Sequence, residues 1–156
     1  LDLNYIRSKL PPKCRAVEYK KLKGRHRSDV FKDIEALIVL VPKKDSDVGH
    51  YIVLVPKEHH IEYFSSLGNS PMKELGMLNE PLEIFKQLLG KQYNYNRIKL
   101  QSGAYNINDC AIWVLLRVYF RKYKLREFQS LFARRITIET SDDLAAIMGV
   151  VLFQDV

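Results

Sequence analysis

Three apolar runs organise the first half of the chain. Ala36-Leu37-Ile38-Val39-Leu40-Val41 is continuous, rich in β-branched residues and ended by Pro42, which predicts a central strand. His50 opens a second run, Tyr51-Ile52-Val53-Leu54-Val55, which also stops at a proline, Pro56. Lys57-Glu58-His59 then supplies a tight turn, and Ile61-Glu62-Tyr63-Phe64-Ser65 predicts a third strand. Spacers this short make the three an antiparallel meander. Arg97-Ile98-Lys99-Leu100 is expected as a fourth strand, with Tyr93-Asn94-Tyr95-Asn96 as the loop before it.

Elsewhere the apolar positions follow a helical spacing. Met72 to Leu89 is helical in character, interrupted near Gly76 and at Asn79-Glu80-Pro81 and stopped by Gly90. Leu125, Phe128, Leu131 and Phe132 predict an amphipathic helix from Lys124 to Phe132. From Ala111 to about Lys122 the chain is apolar, with neither Gly nor Pro, which predicts a buried helix. Leu10-Pro11-Pro12 breaks any earlier helix, and Phe31 to Glu35 reads as a short helix or turn. Ser141-Asp142-Asp143 caps a last helix from Leu144. The fold class is therefore α+β, a small antiparallel sheet packed on a central helix. Residues 1–156 are expected to form a single domain, since the length suffices for one core.

The candidate chemistry lies where the central helix begins. Leu100-Gln101 ends a predicted strand, Ser102 to Asp109 is a polar loop with N-cap residue types, and Cys110 falls in the first turn. A thiol there meets unpaired backbone N–H groups and the positive end of the helix dipole, both of which favour thiolate. Most free cysteines are inert core residues. What distinguishes Cys110 is its company: the polar loop, Gln101 upstream and His50 in Gly49-His50-Tyr51. Thiol hydrolysis needs a base, a group to orient that base, and donors for the oxyanion. His50 stands at a loop-to-strand junction, and Gln101 offers a side-chain amide. His26, His59 and His60 are weaker candidates, one in a basic run and two beside a turn. Cys14, between Lys13 and Arg15, has no evident base and reads as structural. Trp113 reads as core, and Tyr51 either walls a substrate groove or packs in the sheet.

Charge adds one possibility and composition removes two. The net charge is +7, which attracts polyanions, nucleic acid foremost, without sequence specificity. Lys20 to Arg27 is the densest basic run and reads first as a solvated face. No apolar run approaches the ~20 residues of a membrane span, so no membrane partner is expected. Leu1-Asp2-Leu3-Asn4-Tyr5 has no apolar leader segment. Two cysteines do not make a disulfide framework, so both are expected reduced, in an intracellular compartment.

The order His50, Gln101, Cys110, with Leu100-Gln101, Asn106-Ile107-Asn108, Cys110-Ala111 and Trp113, resembles the adenovirus-protease-like cysteine peptidases, whose clan includes the SUMO-type proteases. The likeness covers about residues 31 to 132 and is nearest the branch found in large DNA viruses, virophages and polinton-type elements. It implies a papain-like architecture in permuted chain order. By resemblance, Cys110 is the nucleophile, His50 the base and then the acid, and Gln101 the oxyanion-hole side chain. The implied activity is a thiol endopeptidase that cleaves viral capsid and structural precursors, favours small residues near the cut, and works in the virion and infected cell. No metal or organic cofactor is implied.

Two positions depart from that pattern. The family's Phe-Asp-Ser-Leu-Gly reads Phe64-Ser65-Ser66-Leu67-Gly68 here, so Ser65 takes the acid's place. Glu62 lies three residues back, which strand alternation points to the other face. A His50–Cys110 dyad is expected, with Ser65 or a water as a weak orienter. Ala111 stands where most relatives carry Gly, a mild change unless the backbone needs positive φ. Two rival readings stay open: an isopeptidase acting on a ubiquitin-like protein, and a basic nucleic-acid-binding module with an inert Cys110. If the basic surface holds nucleic acid, affinity for duplex DNA should fall steeply between about 50 and 200 mM salt. Binding that survives added salt undiminished contradicts this.

Overall fold

The computed structural model describes residues 2–43, 49–101, 107–133, 148–149 and 152. Helix α1, Leu3–Lys9, starts on Asp2, whose side chain accepts from the Tyr5 N–H at 2.8 Å, and ends at Leu10 ahead of the two prolines. Strand β1, Cys14–Glu18, leads through a 3-10 turn at Tyr19–Leu22 into the short helix α2, Arg27–Val30. Lys20, Lys21, Lys23, Arg25 and Arg27 are all exposed while Tyr19 and Leu22 are buried, so the basic run is a solvated face pinned by two apolar anchors. Strands β2 (Ala36–Pro42), β3 (Gly49–Pro56) and β4 (Ile61–Phe64) follow. Then come α3 (Pro71–Met77), α4 (Glu83–Leu89), β5 (Tyr93–Tyr95), α5 (Ile107–Tyr119) and α6 (Leu125–Ala133). The helix expected from Leu144 lies outside the described residues, Met148 and Gly149 apart.

The sheet runs β1-β2-β3-β4-β5 in space. Its three central strands form the expected antiparallel meander, but both edges are parallel: β1 along β2, and β5 along β4. The sheet is therefore mixed, and β1 was not foreseen. The fourth strand is Tyr93–Tyr95, not Arg97 to Leu100. The reason is where the backbone of residues 97–101 finds its partners. Leu100 and Gln101 both donate to the Ser66 carbonyl, at 2.8 and 2.9 Å, and the Ile98 carbonyl accepts from the Asn96 side chain at 3.2 Å. That segment is bound to a turn, not to a ladder.

Both faces of the sheet are covered, which explains why its strands read as continuous apolar runs without alternation. Ala36, Ile38, Tyr51, Val53, Val55 and Phe64 pack with α5 and α6 on one side. Leu37, Val39, Ile52, Leu54, Ile61 and Tyr63 pack with α3 and α4 on the other. Helix α5 lies across β3 through Cys110, Ala111, Val114, Leu115 and Val118, all fully buried. Trp113 is core, edge-on to Phe132 at 4.8 Å. Tyr51 is core as well, not a groove wall.

At the far end of β3 a buried charge cluster ties α5 to α6. Glu62 caps α6 by accepting from the Leu125 N–H at 2.7 Å, and its other oxygen lies 3.7 Å from the Arg117 guanidinium and 3.4 Å from Lys57. Burial pushes Arg117 down to about 10, and the Glu62 charge pulls it back up. Arg117 also donates to the Phe120 and Tyr123 carbonyls. Glu62→Ala leaves this cation buried without its counter-charge and should cost about 3 kcal/mol in urea unfolding. A loss below about 0.5 kcal/mol contradicts the assignment.

Candidate active site

His50 is the second residue of β3, opposite Val41. The residue before it must be small: a Cβ on Gly49 would sit 2.9 Å from the Val41 carbonyl oxygen and 3.1 Å from the Pro42 Cα. The strands thus close tightly beside His50 and hold its ring at the sheet's end. The ring is fully buried.

A single turn shapes the next wall of the site. The Gly68 N–H donates to the Ser65 carbonyl at 2.9 Å, closing a β-turn over Ser66 and Leu67. Gly68 has φ +73, and a Cβ there would come within 2.9 Å of Ile98 and Lys99 backbone atoms, so no other residue fits without a shift. The buried Asn96 clamps the front of this turn: its Oδ1 accepts from the Ser65 N–H at 3.0 Å and its Nδ2 donates to the Ser65 carbonyl. The two serines then face two different site residues. Ser65 Oγ lies 2.9 Å from His50 Nε2, and Ser66 Oγ donates to Gln101 Oε1 at 2.6 Å. With Oε1 engaged in this way, the NH2 group is the donor end of the Gln101 amide.

Helix α3 brings a residue that the sequence reading missed. Glu74 Oε1 lies 2.8 Å from His50 Nε2, and both side chains are fully buried. Asn69 Nδ2 donates to the other oxygen, Oε2, at 2.8 Å. Ser70 caps α3 by accepting from the Lys73 N–H, and Pro71 sits in the first turn. A signal was available. Pro71, Leu75 and Leu78 form the buried stripe of this segment, and Glu74 lies within it. A carboxylate on an apolar stripe needs a partner.

Cys110 occupies the first turn of α5, as expected, and its sulfur hydrogen-bonds to the His50 side chain. Burial opposes charge on His50, but the Cys110 hydrogen bond and the Glu74 carboxylate outweigh it and push the imidazole up to about 9. Cys110 is fully buried. Ala111 is helical, with no positive φ, so its methyl meets no backbone constraint.

The structure therefore brings Ser65 and Cys110 to His50 from three separate segments, and Ser66 ties Gln101 to the turn that carries Ser65. Ser65 contacts His50 as expected of the orienting group, and a carboxylate that was not expected, Glu74, reaches the same ring nitrogen. Glu62 lies elsewhere, with Arg117. His26 and His60 have no part in the site, and the exposed His59 contacts Glu58. Cys14 lies apart, its thiol pushed up by burial despite Arg121 nearby. Among the described residues no group of His, Cys, Asp and Glu is disposed to hold a metal ion, and no helix is long and apolar enough to cross a membrane.

No family model matches the chain, and no curated protein matches it. Several solved structures are similar to it. One is the SUMO protease Ulp1 with its catalytic cysteine oxidised to a sulfinic acid, 17% identical over 96% of this chain and 73% of that one, with a TM-score of 0.45. The central domain of the Lpg1148 protein from Legionella pneumophila is 12% identical over 96% of this chain and 93% of its own, with a TM-score of 0.47. ChlaDub1 from Chlamydia trachomatis is 16% identical over 99% and 77%, with a TM-score of 0.45.

The His50 arrangement carries a pH signature. The folded imidazole binds its proton more tightly than the ordinary 6.5, up to about 9. Its stabilisation is complete below about pH 6.5 and is lost as the pH rises through about 9. Urea-unfolding free energies should fall across that window, and His50→Gln should flatten the fall. A wild-type stability that rises or stays level there contradicts the proton placement.

Proposed function

We propose that the chain is a thiol peptidase that hydrolyses amide bonds in proteins, with Cys110 as nucleophile. The observation that carries this is the hydrogen bond between the Cys110 sulfur at the start of α5 and the imidazole of His50. The sulfur attacks the scissile carbonyl carbon while its proton resides on His50. The C–N bond breaks as His50 passes that proton to the leaving amine, leaving an acyl thioester on Cys110. His50 then takes a proton from water, the water oxygen attacks the thioester carbonyl carbon, the C–S bond breaks to release the carboxylic acid, and the proton returns to the sulfur. The Gln101 NH2 and the Cys110 backbone N–H serve the oxyanion. Loss of one such donor costs about 10²- to 10³-fold in kcat. The Ser66 hydroxyl on Oε1 presents the amide donor-first.

The substrate class rests on the resemblance of Leu100-Gln101, Cys110-Ala111 and Trp113 to the adenovirus-protease-like peptidases. It points to structural precursor proteins of a viral particle. Because that clan includes SUMO-type proteases, a ubiquitin-like protein ending in Gly-Gly is the competing substrate. In this reading the +7 charge keeps the enzyme near a packaged genome.

Incubating the wild-type protein with co-encoded structural proteins, and separately with a Gly-Gly-extended ubiquitin-like substrate, tests both classes. A discrete cut is expected in the first, absent with Cys110→Ala and with His50→Ala. Gln101→Ala should lower kcat by about 10²-fold with little change in KM. Cutting of only the ubiquitin-like substrate would move the assignment to a deconjugase. Cleavage that persists in Cys110→Ala overturns the peptidase reading.

A further inference from the structure

We propose that Glu74, carried by α3, is the positioning residue for His50, a carboxylate transposed from the strand end, where Ser65 now stands, to the opposite helix. This rests on the peptidase reading and names the group on which its base depends.

The geometry has three parts. First, Ser65 provides a hydroxyl at 2.9 Å from His50 Nε2, enough to fix a direction but without charge. Second, Glu74 Oε1 reaches the same nitrogen at 2.8 Å. A carboxylate at that distance stabilises imidazolium, which the hydroxyl cannot do. Third, the carboxylate is itself held. Asn69 Nδ2 binds Oε2, the Glu74 N–H donates to the Ser70 carbonyl at 2.9 Å, and Leu75 and Leu78 bury the adjoining helix face.

Among the described residues, groups face His50 from three directions. Cys110 approaches from α5, Glu74 from α3, and the neutral Ser65 from the end of β4. Of these, Glu74 alone can carry negative charge without taking part in bond making. The acid's function is thereby kept with a different chain topology. Here the acid is fixed by the packing of α3 on the sheet's other face.

The experiment is a titration of the imidazole of His50 by nitrogen-15 NMR in four full-length proteins: wild type, Glu74→Gln, Glu74→Gln with Ser65→Asp, and Asn69→Ala. Glu74→Gln keeps the side chain's size and removes its charge. Its His50 midpoint should fall by about one pH unit or more. Placing an acid back at the strand end with Ser65→Asp should recover most of that loss. Asn69→Ala leaves the carboxylate in place but loosens it, and should move the midpoint the same way by less. Peptide cleavage should follow in parallel, falling roughly 10²-fold in kcat for Glu74→Gln and recovering in the double variant.

An unchanged His50 midpoint in folded Glu74→Gln overturns the proposal, as does a double variant with no recovery. Should Glu74→Gln not fold, a wild-type midpoint in Asn69→Ala overturns it instead. The titration does not need a substrate. A wild-type protein that cuts nothing while His50 responds to Glu74 as described would sink the peptidase reading and leave the placement of the carboxylate standing.

Discussion

A buried imidazole held between a sulfur and a carboxylate is the interaction on which the site depends. Burial alone would drive His50 neutral. The Cys110 sulfur, as the acceptor of the imidazole proton, and the Glu74 carboxylate reverse that preference. A buried charge is tolerated only when its partners are close and themselves satisfied. On one side Asn69 holds the second oxygen of Glu74, and on the other Asn96 holds Ser65. Much of the local architecture serves this one contact.

The turn from Ser65 to Gly68 joins the two halves of the candidate chemistry. Its first serine faces the base and its second faces the oxyanion donor. Its carbonyl at Ser66 collects the N–H groups of Leu100 and Gln101, which sets the height of the chain as it approaches α5. A displacement of the turn would therefore disturb His50 and Gln101 together. Gly68 is the residue on which the turn relies, because backbone atoms of Ile98 and Lys99 occupy the space a side chain would need.

The meander and the cysteine helix were legible because their signals are local. Continuous apolar runs ended by Pro42 and Pro56 mark β2 and β3, and the long apolar stretch after Cys110 marks α5. His50, Gln101, Ser65 and Cys110 could be singled out from residue type, order and resemblance. What stayed hidden depends on contacts between distant segments. The strand at Tyr93–Tyr95 was hidden because its short pattern is outweighed by the charged–apolar alternation of Arg97 to Leu100, and the Leu100 N–H goes to a turn. Ser66 and Asn96 looked like ordinary loop residues, since nothing local says which polar loop residues are buried. Glu74 stayed hidden because nothing local in the sequence ties α3 to the start of β3. A carboxylate on the apolar stripe of α3 was the signal that pointed across the sheet.

The two cysteines of the chain allow a direct comparison of reactivity. Cys110 contacts an imidazole, whereas Cys14 is half-buried with its thiol pushed up. The decisive measurement is the rate of iodoacetamide labelling at each cysteine of the native protein at about pH 6, read by peptide mapping. The account predicts that Cys110 labels faster than Cys14 and that His50→Gln abolishes the difference. Labelling of Cys14 alone, with Cys110 protected until the protein unfolds, would contradict it.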